Sequence, residues 1–184
     1  KELRTRYSAD EIGVFLFAPF ATCIPMFTSI AQYPDLLDSR IFDSDSGGIP
    51  AVIEQAGETA AKCNYTGMAF GPAESPKFTA WEARYQAKAG YASFADVSNL
   101  YDGLMIAGLC ILQAEVNNGP AIKNILPDVA ASYYGVSGWC KLDEAGDRQY
   151  ATYKVYQVAF VDGKPAWEKI AFWDGPTETL TWFK

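Results

Sequence analysis

Residues 40–70 read RIFDSDSGGIPAVIEQAGETAAKCNYTGMAF, and their reading decides the fold. Arg40–Phe42 is short and apolar enough for a strand, and Asp43–Gly48 is a loop of acids, hydroxyls and glycines. Pro50 then suits the first turn of a helix, where a missing N–H removes no bond. Val52, Ile53, Ala56 and Ala60 would lie along one side of that helix. "CNYTGMAFGP" is strand-like and stops at Gly71-Pro72. Strand, helix, strand is the order of a parallel sheet covered by helices.

Working outward toward the N-terminus, Ile12–Phe17 is continuously apolar, as in a strand buried on both faces. It breaks at Ala18-Pro19. A helix is expected from Thr22, with Pro25 in its first turn and Met26, Phe27, Ile30 and Tyr33 on one side. Toward the C-terminus, Ser75-Pro76 reads as an N-cap plus a first-turn proline, opening a helix that ends at Gly90. A second helix is expected over about Ala95–Val116, with Val97, Leu100, Leu104, Ala107, Ile111 and Ala114 facing inward. Pro120 opens a third, with Ile122, Ile125, Leu126 and Val129 inward. The texture then changes to alternation, with Asp162-Gly163 as a two-residue hairpin turn, since both residues accept positive φ.

Composition bounds the function. The chain has 184 residues, 49% hydrophobic and 20% charged, with net charge −7. That is a packed globular protein of one large domain or two small lobes. The basic residues are scattered, so no nucleic-acid footprint is expected. No uninterrupted apolar run is long enough to span a bilayer. "IGVFLFAPFA" is also too short and wrongly flanked for a signal-peptide core. There is no histidine, which excludes His-based triads and His-ligated metal sites within this chain. Cys23, Cys63, Cys110 and Cys140 form no CxxC pair, so neither zinc nor thioredoxin-type chemistry is expected, and buried thiols or two disulfides both fit.

The acid loop admits three readings. A strand followed by Asp43-x-Asp45 resembles the haloacid-dehalogenase pattern, with Asp43 as nucleophile, Asp45 as acid/base and magnesium between them. Against it, Ser46-Gly47 replaces Gly-Thr. Asp43, Asp45, Gly48 and Glu54 also fall at EF-hand positions 1, 3, 6 and 12. Gly47 at position 5 has no side-chain oxygen, however, Pro50 sits at position 8, and a strand precedes the loop. The third reading is ligand capture beyond the carboxyl end of a strand, where open α/β sheets bind ligands. The bland alternative is that Asp43 and Ser46 only cap the helix at Pro50.

The C-terminal stretch GVSGWCKLDEAGDRQYATYKVYQVAFVDGKPAW resembles the signature of type I periplasmic binding proteins, the branched-chain amino acid-binding family of ABC importers. Gly135, Gly138, Asp143, Glu144, Gly146 and Asp147 match its G-x-x-G and D-E-x-G-D elements. "RIFDSDSGG…EQAGETAAKCNYT", "SPKFTAWEARYQAKAG" and "SNLYDGLMIAGLCILQAE" match the ligand loop, a helix and the Y-D-opened long helix, in order. The resemblance covers essentially the whole chain but only the second half of such a protein.

The resemblance implies an α/β, periplasmic-binding-protein type I-like fold: a parallel sheet flanked by helices with a C-terminal β-hairpin, in an incomplete two-lobe architecture. It implies that 1–66 belong to the second lobe, 67–134 to the crossover and the first lobe's helices, and 135–184 to the return crossover and hairpin. It implies a non-enzymatic solute receptor, without cofactor or metal, that closes two lobes on an amino acid or related amide and presents it to ABC permease subunits. A sensory domain of the same fold is the alternative. The location implied is periplasmic or extracellular, with any membrane tether elsewhere in the full-length protein. Asp45 aligns with the acid that holds the ligand ammonium, flanked by Ser44 and Ser46. Pro19 and Phe20 match the strand end that supplies an aromatic wall, and Phe70 and Phe94 are further candidates. Tyr101 and Asp102 are read as structural. Cys110 and Cys140 fall in one lobe, where a disulfide is open to them. Apolar lobe surfaces left uncovered would allow a homodimer of fragments.

Overall fold

A computed structural model describes residues 5–8, 11–16, 20–44, 47–72, 74–93 and 95–183. The chain divides into two compact units, the first built from Lys1–Ala69, Tyr153–Trp173 and Leu180–Lys184, the second from Phe70–Thr152 and Asp174–Thr179.

The first unit is a sheet with helices on one face. Its strands are β1 (Gly13–Leu16), β2 (Arg40–Asp43), β3 (Thr66–Phe70), β6 (Thr152–Val161), β7 (Lys164–Asp174) and β8 (Thr179–Trp182), hydrogen-bonded in the order β1-β2-β3-β6-β7-β8. β1, β2 and β3 are parallel neighbours, with Phe15 opposite Phe42 and Phe42 opposite Thr66. The helices between them are α1 (Phe20–Ile30) and α2 (Pro50–Lys62). Side chains alternate along a strand, so Ile41 and Asp43 face the helices while Phe42 faces away. Cys23 and Phe27 of α1, Val52 and Ala60 of α2, and Tyr65 and Val158 close the core around Ile41. The expected hairpin is present, with Asp162 at φ 49° and Gly163 at φ 76°.

Two local expectations change. α1 starts at Phe20, so Pro25 lies inside the helix rather than in its first turn. β1 is an edge strand with Val14 and Phe15 exposed, not a strand buried on both faces. The sheet face carrying Phe15 and Phe42 is uncovered within this unit, and a groove of about 500 Å³ runs over Phe15, Phe42, Met68, Ile170 and Trp182.

The second unit packs α3 (Pro76–Ala89), α4 (Ala95–Ala114) and α5 (Gly119–Ser132) with a small ribbon, β4 (Tyr134–Gly135) and β5 (Gly138–Trp139). The caps follow the sequence. Ser75 Oγ accepts from the N–H of Phe78, Gly90 ends α3 at φ 82°, and Asn118 Oδ1 accepts from the N–H of Ala121. Ile106, Cys110, Val129 and Cys140 form the buried core, with Ile122, Ile125 and Leu126 packed against it.

Asp102, 1% exposed, organises this unit. Its carboxyl accepts the N–H groups of Val136 (2.9 Å) and Ser137 (2.7 Å) and the Ser137 hydroxyl (2.5 Å). A Cβ on Gly135 would overlap that carboxyl, which is why the G-x-x-G turn starts with glycine. Arg148 then braces the turn from outside, donating to the Ser137 and Trp139 carbonyls at 2.8 Å and to Asn99 at 3.1 Å. The Tyr133 hydroxyl, 3.4 Å from Asp102, is pushed up to about 12 by burial and by the neighbouring carboxyl, so it remains a neutral donor.

α4 overturns a further expectation. Its buried side is Ser98, Asp102, Ile106 and Cys110, whereas Leu100 and Leu104, expected inward, are exposed. α5 and the Asp102 turn take one side of a helix that is apolar nearly all round. By length and composition alone, Asp96–Ala114 passes for a membrane span, with mean hydropathy 1.3, although Asp96, Ser98, Asn99 and Asp102 interrupt it.

All four cysteines are buried free thiols, so Cys110 and Cys140 share a core without being bonded. Burial, with Asp38 nearby, pushes Cys63 up to about 11, and burial raises Cys140. At pH 8 a thiol of pKa 11 is only about 0.1% thiolate. Cys63 should therefore react slowly with a thiol reagent in the native chain, faster as pH rises toward 11, and all four thiols should be counted after denaturation without reductant. A count of two would restore the disulfide. Asp102→Ala, which strands two buried N–H groups, should cost about 3 kcal/mol, read as a lower midpoint in urea.

Candidate functional site

The loop after β2 is fixed at both ends. On the entry side, Asp43 is 2% exposed and points into the helix-covered core. Its Oδ2 accepts from the Tyr65 hydroxyl at 2.8 Å and from the Cys23 thiol at 3.0 Å, and its Oδ1 accepts from the N–H of Ser44 at 2.7 Å. Tyr65 in turn packs edge-on against Phe27, ring centroids 4.7 Å apart. One carboxyl thus ties the end of β2 to α1 and to the residue preceding β3.

On the exit side the anchors are backbone and ring contacts. The N–H of Gly47 donates to the Met68 carbonyl at 3.0 Å. A Cβ at Gly47 would lie 2.5 Å from the Gly67 carbonyl oxygen, so only glycine fits this approach. Gly48 holds φ 81° against the Tyr156 ring. The indole N–H of Trp167 donates to the Ile49 carbonyl at 2.9 Å, immediately before α2. Residues 45 and 46 are what remains between these anchors.

This geometry fixes the part played by the first of the two acids. Asp43 is a buried scaffold group. Its oxygens are engaged by Tyr65, Cys23 and Ser44, and α2 takes Ile49 as N-cap with no side-chain cap bond, so Asp43 does not cap that helix. A nucleophilic Asp43 would need an oxygen free of these donors and open to a phosphoryl group. A strand rather than a helix leads into the loop, which removes the EF-hand geometry.

The other predicted site residues are distributed as follows. Ser44 sits at the loop entry, half-buried. Phe20 is the first residue of α1. Pro19, Asp45, Ser46 and Phe94 lie outside the described residues. Phe70, at the end of β3, carries the Arg148 guanidinium over its ring at 5.2 Å, so one of its faces is already used. Among the described residues no group of three or more acids and cysteines is placed to hold a metal ion. Sequence reasoning missed Tyr65, Cys23 and Trp167 as loop anchors. Each is distant in sequence from what it holds, and no local pattern marks it.

No protein-family model matches the chain, and no curated protein does. Solved structures do. A leucine-binding protein from Thermotoga maritima MSB8 superposes with TM-score 0.70 at 19% identity, over 91% of this chain and 45% of its own. A type 1 periplasmic binding protein from Bordetella pertussis Tohama I gives 0.66 at 17%, over 91% and 47%. This is half of the type I periplasmic-binding-protein fold. An ABC transporter substrate-binding protein from Desulfitobacterium hafniense, in complex with Leu, gives 0.60 at 16%, over 91% and 47%. The chain therefore spans a little under half the length of the periplasmic-binding-protein structures it resembles. All three are named as binding proteins rather than enzymes.

Gly47→Ala should dislodge the loop from β3 and lower stability by about 2 kcal/mol or more, as overpacking against backbone does. Tyr65→Phe, which removes one bond to a buried carboxyl, should cost about 1–3 kcal/mol. Both are read from urea midpoints at unchanged m-value. A wild-type midpoint for Gly47→Ala would mean that the close approach to Gly67 is not real.

Proposed function

We propose that this chain is the ligand-loop half of an extracytoplasmic solute receptor for an amino acid or a related small amide, serving the permease of an ABC importer. The observation that carries the reading is the loop clamped at both ends beyond β2. A loop whose base is held at both ends has less freedom to lose on meeting a small cationic group than an unanchored loop would. Asp45 is assigned to the ligand ammonium, with Ser44 and Ser46 donating or accepting beside it. Pro19, Phe20, Phe70 and Phe94 are assigned to the apolar walls. The leucine-binding structures of the same fold support the ligand class. The likeness of fold supports a periplasmic or extracellular location and a protein that binds and releases without chemistry.

A solute receptor of this kind signals through closure, and closure is driven by the ligand's differential contacts with the open and closed forms. The contacts made by polypeptide outside this chain belong to that clamp. The 184-residue chain alone should therefore bind more weakly than the full-length gene product.

The test is a thermal-shift panel on the full-length gene product. At least one aliphatic amino acid or small amide should raise the melting temperature, by about 5 °C at a hundredfold excess over Kd. The deaminated analogue of an active amino acid should give no rise. A panel in which only magnesium or phosphate shifts melting would sink the receptor reading.

A further inference from the structure

β8 ends the sheet of the first unit. It is hydrogen-bonded to β7 on one side and, among the described residues, has no strand on the other, since it closes the order β1-β2-β3-β6-β7-β8. All of Thr179–Trp182 is exposed, Leu180 by 43% and Trp182 by 59%, and Phe183 beyond it is exposed as well. Natural edge strands are blunted by a charge, a proline or a bulge that keeps other strands away. Residues 179–183 read TLTWF, with no charge and no proline. Threonine, tryptophan and phenylalanine are strand formers, so this edge is a template for a further strand.

The backbone supplies an independent observation, because it fixes which groups the edge offers. The N–H of Phe183 donates to the Ile170 carbonyl at 2.9 Å, toward β7. Successive residues of a strand turn their N–H and C=O groups to alternate sides. Those of Thr181 therefore face β7 as well, and those of Leu180 and Trp182 face outward. Side chains alternate in the same way. Trp182 lines the groove over Phe42, Met68 and Ile170, so Leu180 stands on that same face of the sheet and Thr181 on the other.

The occupant that fits this arrangement is the same strand of a second copy. An antiparallel copy related by a two-fold axis at Thr181 sets Leu180 opposite Trp182 of the second copy, and Trp182 opposite its Leu180. Every outward N–H and C=O of these residues then meets its complement, each pair exchanging both bonds. Leucine meets tryptophan across the seam on one sheet face, an apolar cross-strand pair, and Thr181 meets its own copy on the other. No charge enters the seam, which matters for a chain of net charge −7 whose copies otherwise repel. The symmetry is closed, so pairing stops at two copies. We propose that β8 pairs with β8 of a second copy in an antiparallel two-fold seam centred on Thr181, joining the two sheets edge to edge. An unrelated extended peptide is the poorer occupant, because the register that saturates this edge is already supplied by the edge's own sequence. The inference does not depend on which ligand the loop binds.

The experiment compares Thr181→Cys with Leu180→Cys in the full-length gene product, each treated with diamide, which takes up the electrons and protons released as the disulfide forms. Residues facing each other in a non-hydrogen-bonded antiparallel pair have Cα atoms about 4.5 Å apart, within disulfide reach. Leu180 and its copy lie two residues out of register, beyond the limit of about 7 Å. Thr181→Cys should therefore cross-link into dimers at least about tenfold faster than Leu180→Cys. The wild type, in which Cys23, Cys63, Cys110 and Cys140 are buried, sets the background. Sedimentation equilibrium reads the unmodified seam. The wild type should associate with a Kd on the order of 100 μM, as a small interface does. Leu180→Pro removes an outward N–H and leaves the bonds to β7 in place. It should weaken association at least about tenfold at an unchanged urea midpoint. Equally fast cross-linking of the two cysteine variants overturns the inference, as does a wild type that stays monomeric at about 1 mM. Association as strong in Leu180→Pro as in the wild type assigns the contact to another surface and overturns it too.

Discussion

A carboxyl group removed from water must have its oxygens met by donors, or it destabilises the fold that buried it. Among the described residues each unit buries one such carboxyl, Asp43 in the first and Asp102 in the second. In the first, Asp43 draws Tyr65, Cys23 and the N–H of Ser44 onto one group. In the second, Asp102 does the same with Val136 and Ser137, far downstream of α4. Both acids join elements that sequence order separates. The loop beyond β2 and the turn between β4 and β5 are positioned by them.

The consequence for function lies in the contrast between neighbours. Asp43 and Asp45 are two residues apart in a loop that could serve a phosphotransferase, a calcium site or a receptor. Burial assigns Asp43 to the scaffold, and Gly47, Gly48 and Ile49 fix the far end of the loop through Met68, Tyr156 and Trp167. The ligand role is proposed for Asp45. A rigid loop base suits a receptor, whose selectivity depends on where a small cation can sit.

Much of the fold was legible because its signals are local. Pro50, the Ser75-Pro76 pair, Gly90 and Asp162-Gly163 each act within a few residues of themselves, and each sits where its chemistry predicted. The exposed side of α4 was not legible. The helix is apolar on both sides, and periodicity cannot say which stripe finds a partner inside the chain. The exposure of β1 has the same origin, since a strand's composition suits two-sided burial whether or not the second layer is present. The role of Asp43 was hidden for a different reason. Tyr65 and Cys23, which hold Asp43 in the core, are about twenty residues away in opposite directions.

The central claim is that the two loop acids have different tasks, and one paired measurement tests it. Asp43→Asn and Asp45→Asn would be compared in the full-length gene product by calorimetric titration with the best amino-acid ligand and by urea unfolding. The account predicts that Asp45→Asn loses binding by about 30-fold or more with its unfolding midpoint unchanged. Asp43→Asn should unfold at clearly lower urea, yet still bind wherever it remains folded. The reverse pattern, binding lost in a fully stable Asp43→Asn and retained in Asp45→Asn, would contradict the account.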